Sequence, residues 1–153
     1  MVTGYEALLF VHVLAAVVWV GGGAATQFYA IRAMRSSDPG RLAGFAKDAE
    51  WVGMRVFMPA SIVVLGAGFG LVAEGSWSLG TFWVAFGLGA VAVSALTGAL
   101  FLGPEAGRIG KLIDAHGADD PLVQARIRRI FVVSRVELAI LIATVIDMVI
   151  KPA

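Results

Sequence analysis

Four long apolar stretches constrain the fold of this chain more than any other feature of its sequence. They cover residues 5–31, 51–73, 79–103 and 130–150, each to within a few residues. A helix of about 20 apolar residues crosses a hydrocarbon core of about 30 Å. We therefore predict an all-α fold, an integral membrane four-helix bundle that forms a single transmembrane domain over residues 1–153.

The composition of the chain excludes an ordinary soluble domain. Hydrophobic residues make up 59% of the chain and charged residues 15%, whereas a soluble domain has about 25% charged residues. The formal net charge of +1 gives no attraction toward nucleic acid. Cysteine is absent, which excludes disulfides and thiolate metal sites. The first six residues contain no basic side chain, so we expect no cleaved signal peptide.

Positive charges lie in two of the three segments that connect the spans, and the link over residues 74–78 has none. The two basic segments carry Arg32, Arg35, Arg41 and Lys47, and Arg108, Lys111, Arg126, Arg128 and Arg129. Because basic loops stay on the cytoplasmic side, we predict that both termini lie outside (N-out/C-out) in the plasma membrane. The same charges favour contact with anionic lipid headgroups.

Two Asp-Pro pairs, at residues 38–39 and 120–121, are typical of a helix N-cap followed by proline at the first helical position. We therefore expect helices 2, 3 and 4 to extend into the cytoplasm, with a kink at Pro104. The sequence of residues 54–57 (MRVF) resembles that of residues 134–137 (SRVE). This short repeat predicts two parallel-repeat helical hairpins related by an axis along the membrane normal.

His12 is the most informative polar residue, because it lies about two turns inside the first span, where polar groups are costly. At helical spacing it shares a face with Tyr5, Trp19 and Thr26. Neutral imidazole is the commonest metal ligand, so His12 is a candidate ligand of haem iron or of a metal. The alternative is a structural hydrogen bond to a neighbouring helix.

Residues 8–22, LLFVHVLAAVVWVGG, resemble the first helix of copper-resistance protein D-like proteins and of HemJ-type protoporphyrinogen oxidases. The shared pattern is a histidine, six residues, and then Trp-x-Gly, here His12 and Trp19-Val20-Gly21. The resemblance implies haem b, or alternatively copper, bound through His12 beside Trp19. A lysine in a later helix completes the haem site of the HemJ type, and span three has none. In length and loop style the whole chain is similar to an uncharacterised family of small predicted integral membrane proteins.

Further polar or sulfur-containing residues could complete a cofactor site. Met54 and Met58 in span two could ligate haem iron or copper, and we take Met58, nearer mid-membrane, as the cofactor-binding candidate. Asp147 could orient the imidazole of His12. Glu50, Arg55, Arg135 and Glu137 predict an ion-pair cluster that joins spans two and four. Alternatively, Arg55 and Arg135 could clamp an anion such as the haem propionates.

The sequence leaves three functions open. The first is haem or metal binding for electron transfer or metal handling, which alone accounts for the His12 pattern. The second is a small oligomeric transporter, and the third is a non-catalytic partner or assembly subunit of a larger membrane complex. No complete catalytic set or nucleic-acid motif is present, so we do not expect an enzyme. Beyond the lipid bilayer, a second copy or a larger complex is the expected partner.

Overall fold

The computed structural model describes residues 2–36 and 38–151, with Pro39 described by its backbone only. In this part of the chain there are four helices. Helix α1 spans Gly4–Met34, α2 begins at Pro39 and ends at Glu74, α3 spans Phe82–His116, and α4 spans Pro121–Ile150. The prediction of an all-α fold is therefore confirmed. Met1, Pro152 and Ala153, at the ends of the predicted single domain, lie outside the described residues.

The helix starts follow from local capping. The Asp38 carboxylate accepts a hydrogen bond from the backbone N–H of Gly40 at 3.0 Å, and that of Asp120 accepts one from Leu122 at 2.7 Å. Each bond satisfies one of the free amides at a helix start, and the predicted N-caps are confirmed. Gly117, with φ +85°, ends α3 in a conformation that disfavours other residues.

Helices α1, α2 and α3 are each long and apolar enough to cross a membrane. Residues 40–74 and α3 are both 35 residues long, which corresponds to about 52 Å at 1.5 Å per residue and exceeds a hydrocarbon core of about 30 Å. Both helices are therefore longer than the hydrocarbon core is thick. The apolar half of α4 contains Arg135, Glu137 and Asp147, and its membrane crossing stays a prediction.

Helices α1 and α2 pack antiparallel, with side chains of one lying against small residues of the other. From one end of the pair to the middle, Glu74 lies beside Gly4, Leu8 against Gly70, His12 against Gly68, and Phe57 against Gly22. Because glycine has no side chain, the neighbouring helix approaches closely at these positions. This packing fixes His12 at the interface between α1 and α2.

The bundle has two distinct ends. The termini end carries Thr3, the 75–81 link and Lys151, whereas the basic end carries residues 38–50 and 105–129. A core at the basic end contains Ala43, Ala46, Ile109, Ile113, Ala118, Val123 and Ile127. A second core at mid-bundle contains Ala15, Trp19, Ala60, Val64, Val91 and Leu141. Large apolar side chains such as Phe28 and Leu100, both 75% exposed, cover the outside, as suits a bilayer.

Three helices contain a wider, π-helical turn at mid-bundle: Val17–Gly21 in α1, Gly53–Phe57 in α2 and Gly98–Leu102 in α3. The turn in α2 contacts both others. Pro59 and Pro104 each lie two residues past the end of one of these turns, and proline lacks the N–H that an α-helical turn requires. The sequence predicts a kink at Pro104, and the structure places a wide turn before it through which α3 continues.

Candidate functional site

A cavity of about 620 Å³, here called the termini cavity, lies among the four helices at the termini end. Its walls are almost entirely apolar, and its polar side chains include His12, Thr144 and Lys151. The hydroxyl of Thr144 donates to the Ile140 carbonyl of its own helix at 2.9 Å, so it can contact an occupant only as a neutral hydrogen-bond acceptor. His12 and Lys151 are therefore the groups that could recognise an occupant.

The imidazole of His12 is held in a defined orientation. Its Nδ1 lies 3.0 Å from the carbonyl oxygen of Val64 in α2. Because a carbonyl only accepts, Nδ1 carries the proton of this bond, and in the neutral ring the lone pair is on Nε2. The ring lies against Gly68, where a Cβ would be 3.4 Å from its Cε1. This bond is the structural hydrogen bond to a neighbouring helix that the sequence left open as the alternative for His12. Metal-ligating histidines usually hold their other ring N–H in the same way, so the bond is compatible with both interpretations.

The mouth of the termini cavity is aromatic and cationic. Trp77 and Trp83 meet edge to face with ring centres 5.2 Å apart. The Lys151 ammonium lies 5.5 Å and 5.3 Å from these two ring centres, which is a cation–π distance. The mouth could therefore receive the anionic end of a ligand whose body lies in the apolar interior.

A second cavity of about 140 Å³, here called the π-turn cavity, lies beside the three π turns. All four helices contribute polar side chains to it, namely Thr26, Gln27, Ser61, Ser94, Ser134 and Glu137. Sequence reasoning missed this site. The available signal was the spacing Gly-x5-Pro, which occurs in α2 (Gly53 to Pro59) and again in α3 (Gly98 to Pro104).

Hydrogen bonding in the π-turn cavity is incomplete. The Gln27 Nε2 donates to Ser134 Oγ at 2.9 Å, and Ser134 Oγ donates to the Phe131 carbonyl at 3.2 Å. Among the described residues, the buried Gln27 Oε1 and Ser94 Oγ have no hydrogen-bond partner. Such groups cost free energy unless water or a ligand satisfies them.

Trp19 and Leu141 line both cavities. Trp19 is 5% exposed and Leu141 3% exposed, so the two side chains form a tightly packed layer between the termini cavity and the π-turn cavity. The predicted association of His12 with Trp19 therefore has a structural counterpart, since both line the termini cavity.

The other predicted cofactor residues are separated from His12. Met58 lines the π-turn cavity rather than the termini cavity. Arg55 and Arg135 line neither cavity, and both are exposed. Their guanidinium carbons lie 5.4 Å from the Trp51 ring centre and 5.5 Å from that of Phe131. The structure thus does not bring these residues to one site, although each arginine lies over an aromatic residue four positions before it.

The charges do not pair as the sequence predicts. Across residues 2–36 and 38–151, none of Glu50, Arg55, Arg135 and Glu137 belongs to a salt bridge. The carboxyl of Glu50 lies against Gly107 of α3, and Glu137 lines the π-turn cavity. These positions differ from the predicted cluster because the two arginines lie over aromatic rings of their own helices.

The ion pairs that do form lie at the basic end. Glu105, 3% exposed, lies 2.7 Å from Arg126 and 3.5 Å from Arg108. Lys47 and Asp114 form an exposed pair at 2.6 Å.

Asp147 was predicted to orient the imidazole of His12. It lies outside the termini cavity, and the Val64 carbonyl makes the hydrogen bond to His12.

The described part of the chain contains no group of three or more His, Cys, Asp or Glu side chains that could hold a metal ion. His116 is exposed at the end of α3, far from His12 along the bundle. A metal ion bound at His12 would therefore need ligands other than a cluster of His, Cys, Asp or Glu side chains, for example those of a cofactor that already holds the metal.

Comparison with known proteins gives a family. No curated protein and no solved structure matches the chain. A family of membrane proteins matches residues 6–152, nearly the whole chain. This agrees with the expectation of a small integral membrane protein that contacts the lipid bilayer. The chain therefore belongs to the family described as predicted integral membrane protein (DUF2269).

Proposed function

We propose that this membrane protein binds haem b in the termini cavity, where Nε2 of His12 would hold the iron. The observation that carries the proposal is the 3.0 Å hydrogen bond from His12 Nδ1 to the Val64 carbonyl in the wall of a largely apolar cavity. This bond leaves Nε2 as the nitrogen with the lone pair. A carbonyl partner also fixes the ring and increases its basicity as a ligand.

Haem fits the donor set better than copper. Copper bound by protein side chains alone needs several ligands, and the described residues contain no such cluster of His, Cys, Asp or Glu. Haem supplies four nitrogen ligands itself and needs only one or two axial residues. Met148, which lines the termini cavity, replaces the predicted Met58 as the candidate for a second ligand.

The size and charge of the termini cavity support the same proposal. Its volume of about 620 Å³ lies within the range of about 300–1,000 Å³ that is usual for ligand sites. The ammonium of Lys151 at the mouth could pair with the haem propionates, a role predicted for Arg55 and Arg135. Bound haem would supply one-electron chemistry, while the chain would orient the ligand and exclude water.

Absorption spectroscopy of the protein purified in detergent, from cells supplied with haem and copper, tests the proposal. We expect a Soret band in the wild type, its loss in His12→Ala, and its retention in the matched control His116→Ala. A colourless wild type would falsify haem binding. An equal band in His12→Ala would overturn the ligand assignment, and metal analysis of the same samples distinguishes copper from haem.

We also infer the membrane arrangement that this function requires. Helix α4 would complete a four-helix bundle in the plasma membrane, with the termini end outside and the basic end in the cytoplasm. The Lys and Arg residues of the two segments at the basic end support this orientation. Cysteine accessibility tests it, since a cysteine at Ser78 should react with an impermeant reagent in intact cells and one at Ala115 should not.

A second candidate function is passage of a small solute or ion through the bundle. It is supported by the two cavities that share Trp19 and Leu141 as a wall, which would then act as a gate. A partner subunit or homo-oligomer remains the alternative if the purified protein is colourless and impermeable. Mass measurement of the detergent complex with native lipids distinguishes these assemblies.

A further inference from the structure

The carboxylate of Glu137 has no cationic neighbour in the π-turn cavity. Among the residues that line this cavity, none is Lys, Arg or His, and Glu137 belongs to none of the salt bridges of the described residues. Arg135 in the same helix is exposed and lies over Phe131. An uncompensated charge at mid-bundle is costly in a medium of low dielectric. Glu137 therefore needs a mobile cation or a proton.

The surrounding polar atoms are mainly acceptors. Gln27 Oε1 and Ser94 Oγ have no partner among the described residues, and Ser94 is 1% exposed. Ser61 Oγ donates to the Met58 carbonyl at 2.7 Å and so keeps its lone pairs free. An amide oxygen, hydroxyl oxygens and one carboxylate form a set of hard oxygen ligands, which suits a small inorganic cation or a protonated carboxyl with water.

The π turns of α2 and α3 form part of the same wall. The N–H of Met58 bonds the Gly53 carbonyl, and that of Gly103 bonds the Gly98 carbonyl, each five residues back. Because Pro59 and Pro104 have no N–H, neither can make the usual α-helical hydrogen bond to the carbonyl four residues back. π turns inside α-helices are frequent at functional sites.

We propose that the π-turn cavity binds one monovalent cation, a proton or an alkali ion, on the carboxylate of Glu137, with Gln27 and Ser94 as neutral oxygen ligands. The volume of about 140 Å³ has room for such an ion with a few water molecules. When an alkali ion binds, the carboxyl releases its proton, so one charge replaces another and the cavity stays neutral. This site is independent of haem binding at His12.

Two measurements on the purified full-length protein test the site. The first is binding of radioactive sodium at constant ionic strength, with choline as the replacement cation. The second is infrared spectroscopy of the protonated carboxyl band during a pH titration. We compare the wild type with Glu137→Gln and with the matched control Glu50→Gln, whose carboxylate lies outside the cavity against Gly107.

Sodium binding that falls at least about tenfold in Glu137→Gln, the equivalent of about 1.4 kcal/mol, and is unchanged in Glu50→Gln would identify an alkali-ion site. A carboxyl band that titrates reversibly, is absent in Glu137→Gln and is insensitive to sodium would identify a proton site. If sodium does not bind and the spectra of the wild type and Glu137→Gln are identical at every pH, the proposal is overturned. Should Glu137→Gln not fold, Gln27→Leu, which keeps the charge, is expected to weaken binding several-fold.

Discussion

The walls of the termini cavity are apolar side chains with one fixed imidazole, whereas in the π-turn cavity every helix contributes a hydroxyl, an amide or a carboxylate. The first cavity has a volume of about 620 Å³ and the second about 140 Å³. A wide apolar space suits a large apolar ligand held through few polar contacts. A small space with unpartnered oxygens suits an ion or water.

The two halves of the bundle also differ in what holds the helices together. At the termini end the large cavity separates parts of the helices, and small residues bring α1 and α2 together. At the basic end, seven buried apolar residues form a closed core beside the buried carboxylate of Glu105. We therefore expect ligand binding to depend on the termini half and not on the closed core of the basic half.

The largest effect is expected for Trp19→Ala, because this side chain separates the two cavities and is 5% exposed. Truncation of a buried aromatic residue to alanine costs about 3–5 kcal/mol of unfolding free energy. Phe28→Ala in the same helix removes an aromatic side chain that is 75% exposed and should cost less than about 1 kcal/mol. Denaturation in mixed micelles measures both.

The Trp19 variant also tests whether the two cavities are separate. The measurement uses vesicles that contain the protein and a pH-sensitive dye. Vesicles with the wild type or Phe28→Ala should be impermeable to protons, whereas vesicles with Trp19→Ala should be permeable. Equal stability and equal permeability of Trp19→Ala and Phe28→Ala would contradict the role of Trp19 as a wall between the halves.

A smaller loss of stability is expected for Glu105→Ala at the basic end. Glu105 is buried and pairs with the partly exposed Arg126 at 2.7 Å. Because solvent reaches the arginine that is left behind, we expect a cost of about 2 kcal/mol, less than the penalty for a fully buried pair. Asp114→Ala breaks the exposed pair with Lys47 and should cost less than about 1 kcal/mol. Thermal unfolding in detergent measures this difference.

Haem absorbance of the same two variants tests whether ligand binding in the termini half depends on the stability of the basic half. Because Glu105 does not line the termini cavity, we expect the Soret band of folded Glu105→Ala to equal that of the wild type. A band that decreases in step with the destabilisation would show that the two halves are coupled rather than independent.

Local sequence determines much of this fold, and local features were the ones predicted correctly. The Asp38 and Asp120 caps act within two residues of themselves, so their pattern is readable from the chain. The three apolar spans likewise follow from residue type and length alone. The fourth span, residues 130–150, was predicted in the same way, but Arg135, Glu137 and Asp147 interrupt the apolar half of α4, and its membrane crossing stays a prediction.

The side-chain contacts between helices could not be predicted from the sequence in the same way. Arg55 and Arg135 lie at equivalent positions of the repeat, but their side chains bend back over Trp51 and Phe131, a choice that depends on rotamers. Glu137 faces a cavity that exists only when all four helices pack together. His12 was identifiable as a buried polar residue, whereas its partner, the backbone carbonyl of Val64, carries no signal in the sequence.

The smallest effect, and the one whose sign is most informative, is expected for Ser94→Ala. The Ser94 hydroxyl is 1% exposed and has no partner among the described residues. If water or a cation occupies the π-turn cavity, the substitution removes a satisfied hydroxyl and should cost about 1 kcal/mol, whereas in a dry cavity it relieves an unsatisfied group and should be neutral or stabilising. We expect Ser94→Ala to lower the unfolding free energy by this amount.

Thr97→Val is the matched control. Among the described residues, the Thr97 hydroxyl bonds the Val93 carbonyl of its own helix at 2.9 Å, so the unfolding free energy should change by less than about 0.5 kcal/mol. A stabilised Ser94→Ala would mean that the two cavities differ in size but not in hydration, and that the polar atoms beside Glu137 are not ligands.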